Sequence, residues 1–170
     1  SELEIALPVG GNLWAPLPFY DAYDSFSEIF IQKEYEGFLP ARETFDRVID
    51  FGAHFGYFSL WLQAGQPEHP LEVLLVEPDE RSQVAIERLL QRNALSDRFH
   101  HISAAVGPKE QKTIAFHSRP FMASSTFDGK EDEDLPTRKR ILREDEILDQ
   151  CSQSFDLVKV DIEGSEWSLL

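Results

Sequence analysis

The stretch VIDFGAHFGYFSLWL, from Val48 to Leu62, constrains this chain more than any other. A short apolar run, Val48 to Phe51, carries one acid, Asp50, and meets two glycines four residues apart, Gly52 and Gly56. Phe58, Leu60, Trp61 and Leu62 then supply the apolar side of a helix expected over Gly56 to Ala64. A buried strand that hands over to a helix through a glycine turn is the unit of an α/β sheet. Glycine at such a turn permits positive φ, or lets the main chain approach a ligand without Cβ interference. The first amides of the following helix remain able to donate.

The same grammar recurs downstream. LEVLLVEP (Leu71 to Pro78) is nearly all apolar, as a parallel strand covered on both faces should be. The two prolines of GQPEHP keep the preceding segment a loop. Asp79 caps a helix expected to run to about Asn93, with Ile86, Leu89 and Leu90 at helical spacing. FHHISAAV (Phe99 to Val106) reads as a third strand and Thr113 to Phe116 as a short fourth. Phe121 to Arg140, with its acidic and then basic run GKEDEDLPTRKR, reads as a solvated loop. ILREDEILDQ reads as a strand end and a short helix. FDLVKVDIEGSEWSLL reads as a strand from Asp156 to Asp161, a turn at Gly164 and the opening of a helix. Residues 1–40 form an aromatic and acidic cap segment with one helix near Phe26 to Tyr35, and 41–170 the α/β domain.

Sheets of this kind bind ligands outside the carboxyl ends of their strands. Asp50, Glu77 and Asp161 all fall at such ends. Glu77, followed by Pro78, lies 25 positions after Gly52, where a carboxylate can accept both hydroxyls of a ribose. The loop Gly52-Ala53-His54-Phe55-Gly56 lacks the third glycine of the dinucleotide fingerprint. Asp50 adds an anion where a pyrophosphate would sit. S-adenosyl-L-methionine, a sulfonium with an ammonium and no phosphate, suits these acids better.

VIDFGAHFGYFS, LLVEPDE, ISAAVG and DLVKVDIEGSEWSLL together resemble the FkbM-type family of S-adenosylmethionine-dependent methyltransferases, over Phe45 to Leu170. The run from Lys159 to Glu166 resembles the family's K-x-D-x-E-G-x-E signature, whereas His54 stands where the family usually has asparagine. The resemblance implies a Rossmann-like class I methyltransferase, an α/β three-layer sandwich with a mainly parallel sheet. It implies O-methylation of a hydroxyl on a sugar or small metabolite, with S-adenosyl-L-homocysteine as the product. By the same resemblance, Asp50, Gly52, Ala53, His54, Phe55 and Gly56 surround the methionine part of the cofactor. Glu77 and Pro78 serve the ribose, Ser103, Ala104 and Ala105 the adenine, and Asp161 faces the transferable methyl. Asp161 or Glu163 is the expected base, with Lys159 or His54 tuning the pocket. Glu166, Ser124 and Ser125 lie toward the acceptor. The plainer roles are an ion pair for Lys159, a helix start for Glu166 and a loop donor for His54. Asp161, Glu163, Glu166 and His54 could instead ligate a divalent metal, but nothing in their spacing requires one, and no metal is expected.

Composition removes other classes. The 170 residues carry a formal net charge of −15, which repels nucleic acid and anionic membrane alike. A single cysteine, Cys151, excludes an internal disulfide framework and fits a reducing, cytoplasmic setting. The acidic, proline-interrupted first twenty residues do not read as a signal peptide, and no apolar run is long enough to span a bilayer. Leu170 falls inside the helix after the signature, so the C-terminal strands of the sheet are expected to be lacking. An open edge beside Asp156 to Asp161 then invites association. The chain is accordingly a fragment, a homodimer covering that edge, or a reduced module that binds cofactor without catalysis. A NAD(P)-binding oxidoreductase half is the remaining alternative.

Overall fold

A computed structural model describes residues 1–7, 10–18, 21–39, 44–108, 110–116, 137–143, 145–147 and 154–162. The chain opens with an antiparallel hairpin, β1 (Glu2–Ala6) and β2 (Asn12–Pro16), in which Leu3 faces Ala15 and Ile5 faces Leu13. Gly10 and Gly11 both take positive φ in the connection. Helix α1 (Asp21–Phe26) comes next and passes directly into a π-helical turn, Ser27–Ile31. The helix expected near Phe26 to Tyr35 therefore starts earlier and ends sooner, and Tyr35 lies in the turn beyond it. Phe26 and Phe30, four residues apart, stack with ring centres 4.6 Å apart and anchor this segment.

The central sheet then begins. β3 (Arg47–Phe51) leads to α2 (Tyr57–Gly65), β4 (Glu72–Val76), α3 (Glu80–Arg92) and β5 (Phe99–Ile102). After a second antiparallel hairpin, β6 (Thr113–Phe116) with β7 (Thr137–Arg140), the chain returns as β8 (Leu157–Val160). β3, β4, β5 and β8 form one parallel sheet in the order β5-β4-β3-β8. Phe51 lies opposite Val76 and Val160, and Val76 opposite Ile102, so all four carboxyl ends share one rim. The order runs outward from β3 to β5 and then reverses to β8. The reversal leaves a crevice between β3 and β8.

Strand alternation sorts the core onto two faces. Val48, Val73, Leu75 and Phe99 pack with Leu60 of α2 and with Ala85, Ile86 and Leu89 of α3. Ile49, Phe51, Leu74 and Val76 face the other way, against Val106, Leu142, Ile147 and Phe155. Asp79 caps α3 as expected, accepting from the Arg81 amide. The first hairpin docks on α3 through Asn93, whose side chain accepts from the Trp14 amide at 2.6 Å and donates to the Trp14 carbonyl at 2.7 Å. Cap-segment residues Leu13, Ala15, Ala22, Phe26 and Ile29 are buried in the same core as the sheet.

Two expectations shift. The third strand leaves the sheet at Ile102, and Ala105 bridges to Ile141 beside the β6–β7 ribbon. Thr137–Arg140, expected to be irregular, is a strand. An exposed two-stranded ribbon needs no apolar run, and its charges are matched locally: Lys139 donates to Glu80 and Arg140 to Glu146, both at 2.6 Å. Among the described residues β8 is an outer strand, with Val158 and Val160 exposed. No helix among them is long and apolar enough to cross a membrane.

Candidate functional site

The crevice at the carboxyl rim opens into a cavity of about 860 Å³. Its floor is the loop after β3. Gly52 and Ala53 both donate to the Val76 carbonyl, at 3.0 and 3.1 Å, which pins the loop to the end of β4. Gly52 has φ +74, and a Cβ placed there would sit 1.8 Å from the backbone oxygen of Asp161. No side chain fits between these two strand ends. Gly56 also has positive φ, +79, as the residue before α2, but the nearest atom to an added Cβ is 3.7 Å away. His54, with φ +49, takes a left-handed conformation that asparagine adopts more readily than most residues. Its amide donates to Glu77 Oε2 at 2.9 Å, and its Nδ1 lies 3.4 Å from Ser25 Oγ.

Glu77 occupies the end of β4. It is 7% exposed and accepts from two main-chain amides, His54 at Oε2 and Asp79 at Oε1 (2.8 Å). Burial pushes its carboxyl up to about 7, against the pull of the Asp79 and His54 amides. Each oxygen keeps a second lone pair for a further donor. Pro78, Asp79, Ala104 and Ala105 continue the wall.

Beneath the loop lies a charge pair. Asp50 is wholly buried; its Oδ2 accepts from Ser59 Oγ at 2.8 Å, and its Oδ1 lies 3.1 Å from Lys159 Nζ. The same ammonium donates to the Gly52 carbonyl at 2.6 Å and lies 3.7 Å from Asp161 Oδ2. Lys159 thus joins β3, the glycine loop and the end of β8. That is the ion-pair role the sequence left open for it, and it spends the ammonium on structure.

The wall facing the strand ends comes from the cap segment. Asp24, Ser25, Glu28, Gln32, Glu34 and Tyr35 all line the cavity, and the sequence alone singles out none of them for the site. Tyr35 donates to Asp161 Oδ2 at 2.8 Å across 126 residues of chain. Burial, and then the Asp161 charge, push its phenol well above the ordinary tyrosine range. Glu28 is raised by burial and by its neighbours Glu34, Asp24 and Asp161. A recurrent aromatic pattern in the cap segment is the only sequence signal for this wall, and it reads equally well as core packing.

Of the residues expected at the site, Gly52, Ala53, His54, Glu77, Pro78, Ala104, Ala105, Lys159 and Asp161 line one cavity. Asp50, Phe55, Gly56 and Ser103 do not reach its wall: Asp50 and Phe55 are buried below the loop, and Gly56 shapes the start of α2. Glu163, Glu166, Ser124 and Ser125 lie outside the described residues.

No protein-family model and no curated protein matches the chain. Among solved structures, it is similar to methyltransferase FkbM from Methylobacillus flagellatus KT, at 20% identity and a TM-score of 0.53, over 89% of this chain and 34% of that one. The chain therefore spans about a third of that protein's length. Weaker similarities are to PRMT6 (17% identity, TM-score 0.32, 51% of this chain and 22% of that one) and to YjhP from E. coli (17%, 0.31, 56% and 35%). The parallel sheet, its reversal at β3 and β8 and the FkbM similarity give one conclusion: this chain has the Rossmann-like α/β fold of the class I methyltransferases.

Proposed function

We propose that the cavity binds S-adenosyl-L-methionine and that the protein transfers its methyl group to a hydroxyl oxygen of a sugar or small metabolite. The observation that carries this reading is Glu77: a buried carboxylate at the end of the second parallel strand, aimed by two amides and beside a left-handed glycine loop. Such a carboxylate suits a ribose diol, whose two hydroxyls can donate to its two oxygens. The cavity's charge favours a cationic ligand over a pyrophosphate. Asp24, Glu28, Glu34 and Asp161 line it, besides an Asp79 carboxylate already paired with Arg81, and Lys159 is the only lysine or arginine among the described lining residues. Its volume suits a ligand of this size.

Gly52 and Ala53 would hold the amino-acid end, Glu77 the ribose, and Ala104 and Ala105 the flat base. The bound cofactor supplies an activated methyl on a good neutral leaving group, so the protein's task is mainly to hold two partners in line. Asp161, at the mouth between β8 and the cap wall, would take the acceptor's hydroxyl proton, a contribution of roughly 10²–10⁴-fold. The hydroxyl acceptor rests on the sequence resemblance alone.

Calorimetric titration tests the reading. S-adenosylmethionine should bind, and Glu77→Ala should weaken binding by about 1–3 kcal/mol through loss of hydrogen bonds to a charged acceptor. Equal affinity in the variant refutes the ribose assignment. Binding of NAD(P) in place of S-adenosylmethionine refutes the cofactor.

A further inference from the structure

Asp161 is the first residue beyond β8, and its side chain is about half exposed. A carboxylate in that position has little to fix its rotamer. Among the described residues, two groups bond or pair with it. Lys159 lies 3.7 Å away but is engaged more closely by the Gly52 carbonyl and by Asp50, whose buried charge it matches. The Asp161 charge is therefore not cancelled by that lysine. The other group is the Tyr35 hydroxyl, a neutral donor 2.8 Å from Oδ2. Tyr35 is itself held: its ring meets Phe58 of α2 edge-on, with centres 4.9 Å apart. The cap segment thus orients an anion at the cavity wall without neutralising it.

Resting on the cofactor reading above, we infer that Tyr35 is a positioning residue that fixes the Asp161 carboxylate as the counter-charge to the sulfonium, so that the site distinguishes a sulfonium from a neutral thioether. S-adenosylmethionine and S-adenosylhomocysteine differ by one methyl group and one positive charge, and they share every other group. A carboxylate held near the sulfur favours the cation. A carboxylate free to swing into solvent loses most of that preference, because water screens it. The device also aids turnover, since the product is the ligand the oriented charge holds less tightly.

The experiment compares affinities for the two ligands by calorimetry in four proteins: wild type, Tyr35→Phe, Asp161→Asn and the double variant. It needs no acceptor. Tyr35→Phe keeps the ring on Phe58 and removes only the hydroxyl. Its S-adenosylhomocysteine affinity should stay within about twofold of wild type, which also reports that it folds, while its preference for S-adenosylmethionine falls by about three- to tenfold, the range of one ordinary hydrogen bond's net contribution. Asp161→Asn should lose at least as much preference, and adding Tyr35→Phe to it should change nothing more. An unchanged preference in Tyr35→Phe overturns the inference and leaves the cofactor reading standing. So does an equal, additive loss in the Asp161→Asn background, which would make Tyr35 a packing residue. A wild-type protein that binds neither ligand refutes the cofactor reading itself.

Discussion

Replacing Lys159 by methionine isolates what the buried ion pair does. Asp50 has no exposed surface, and one of its oxygens accepts from Ser59. The other has no hydrogen-bond partner among the described residues and relies on the ammonium 3.1 Å away. The lysine side chain is itself only 9% exposed, so solvent screens the pair little. Removing one member of a buried pair strands the other charge, at a cost of about 3–5 kcal/mol. Lys159→Met also frees the Gly52 carbonyl it now caps. The lower figure, about 3 kcal/mol, allows for a protonated or rehydrated Asp50, and corresponds to a fall in Tm of roughly 6–12 °C for a chain of this length. Urea denaturation of wild type, Lys159→Met, Asp50→Asn and the double variant measures it. The double variant should recover most of the loss, because the amide introduced by Asp50→Asn keeps a partner in Ser59 and carries no charge to strand. A Lys159→Met protein as stable as wild type would refute the claim that this lysine's charge is spent inside the fold. A double variant no better than the worse single variant would show that the two side chains do not act as a pair.

Gly52→Ala should cost more than Gly56→Ala: the second loses only the left-handed preference, about 1 kcal/mol, whereas the first also drives a methyl group into the Asp161 carbonyl and should exceed about 2 kcal/mol, read by denaturation midpoints. Glu77 makes stability fall with rising pH. Its folded-state carboxyl titrates near 7 against an ordinary value of 4.5, so its favourable contribution is complete below about 4.5 and is lost as pH rises through 7. The 2.5-unit difference corresponds to about 3 kcal/mol, which Glu77→Gln should remove when the two proteins' unfolding free energies are compared at pH 4.5 and 8. Parallel pH profiles for the two proteins would refute that linkage.

The parallel sheet is legible because its strands announce themselves twice, by apolar runs of the right length and by the residues that close them. Val48 to Phe51 ends in glycines and Leu71 to Pro78 in an acid, a proline and the Asp79 cap, and each boundary falls within a residue or two of its place. The first hairpin is hidden because its strands are short and half exposed; Leu3, Ile5, Leu13 and Ala15 alternate, but over too few residues to stand out. β7 is hidden because Thr137–Arg140 carries three basic residues and no apolar ones, and only pairing with β6 makes it a strand. At the site, local motifs locate the glycine loop and Glu77. The cap wall is not legible because Tyr35 and Asp161 are 126 residues apart, and nothing in either neighbourhood signals the other. The sequence points Asp50 toward the ligand for a related reason: its partner is Lys159, and burial beneath the loop is a property of the assembled sheet.

A crystal structure of the protein grown with S-adenosylhomocysteine tests the central claim most directly. The ligand should lie along the carboxyl rim of the sheet, its ribose hydroxyls on the Glu77 carboxylate at the end of β4 and its amino-acid end over Gly52 and Ala53 after β3. A ligand bound elsewhere, or one in this cavity with Glu77 out of hydrogen-bond reach, would contradict it.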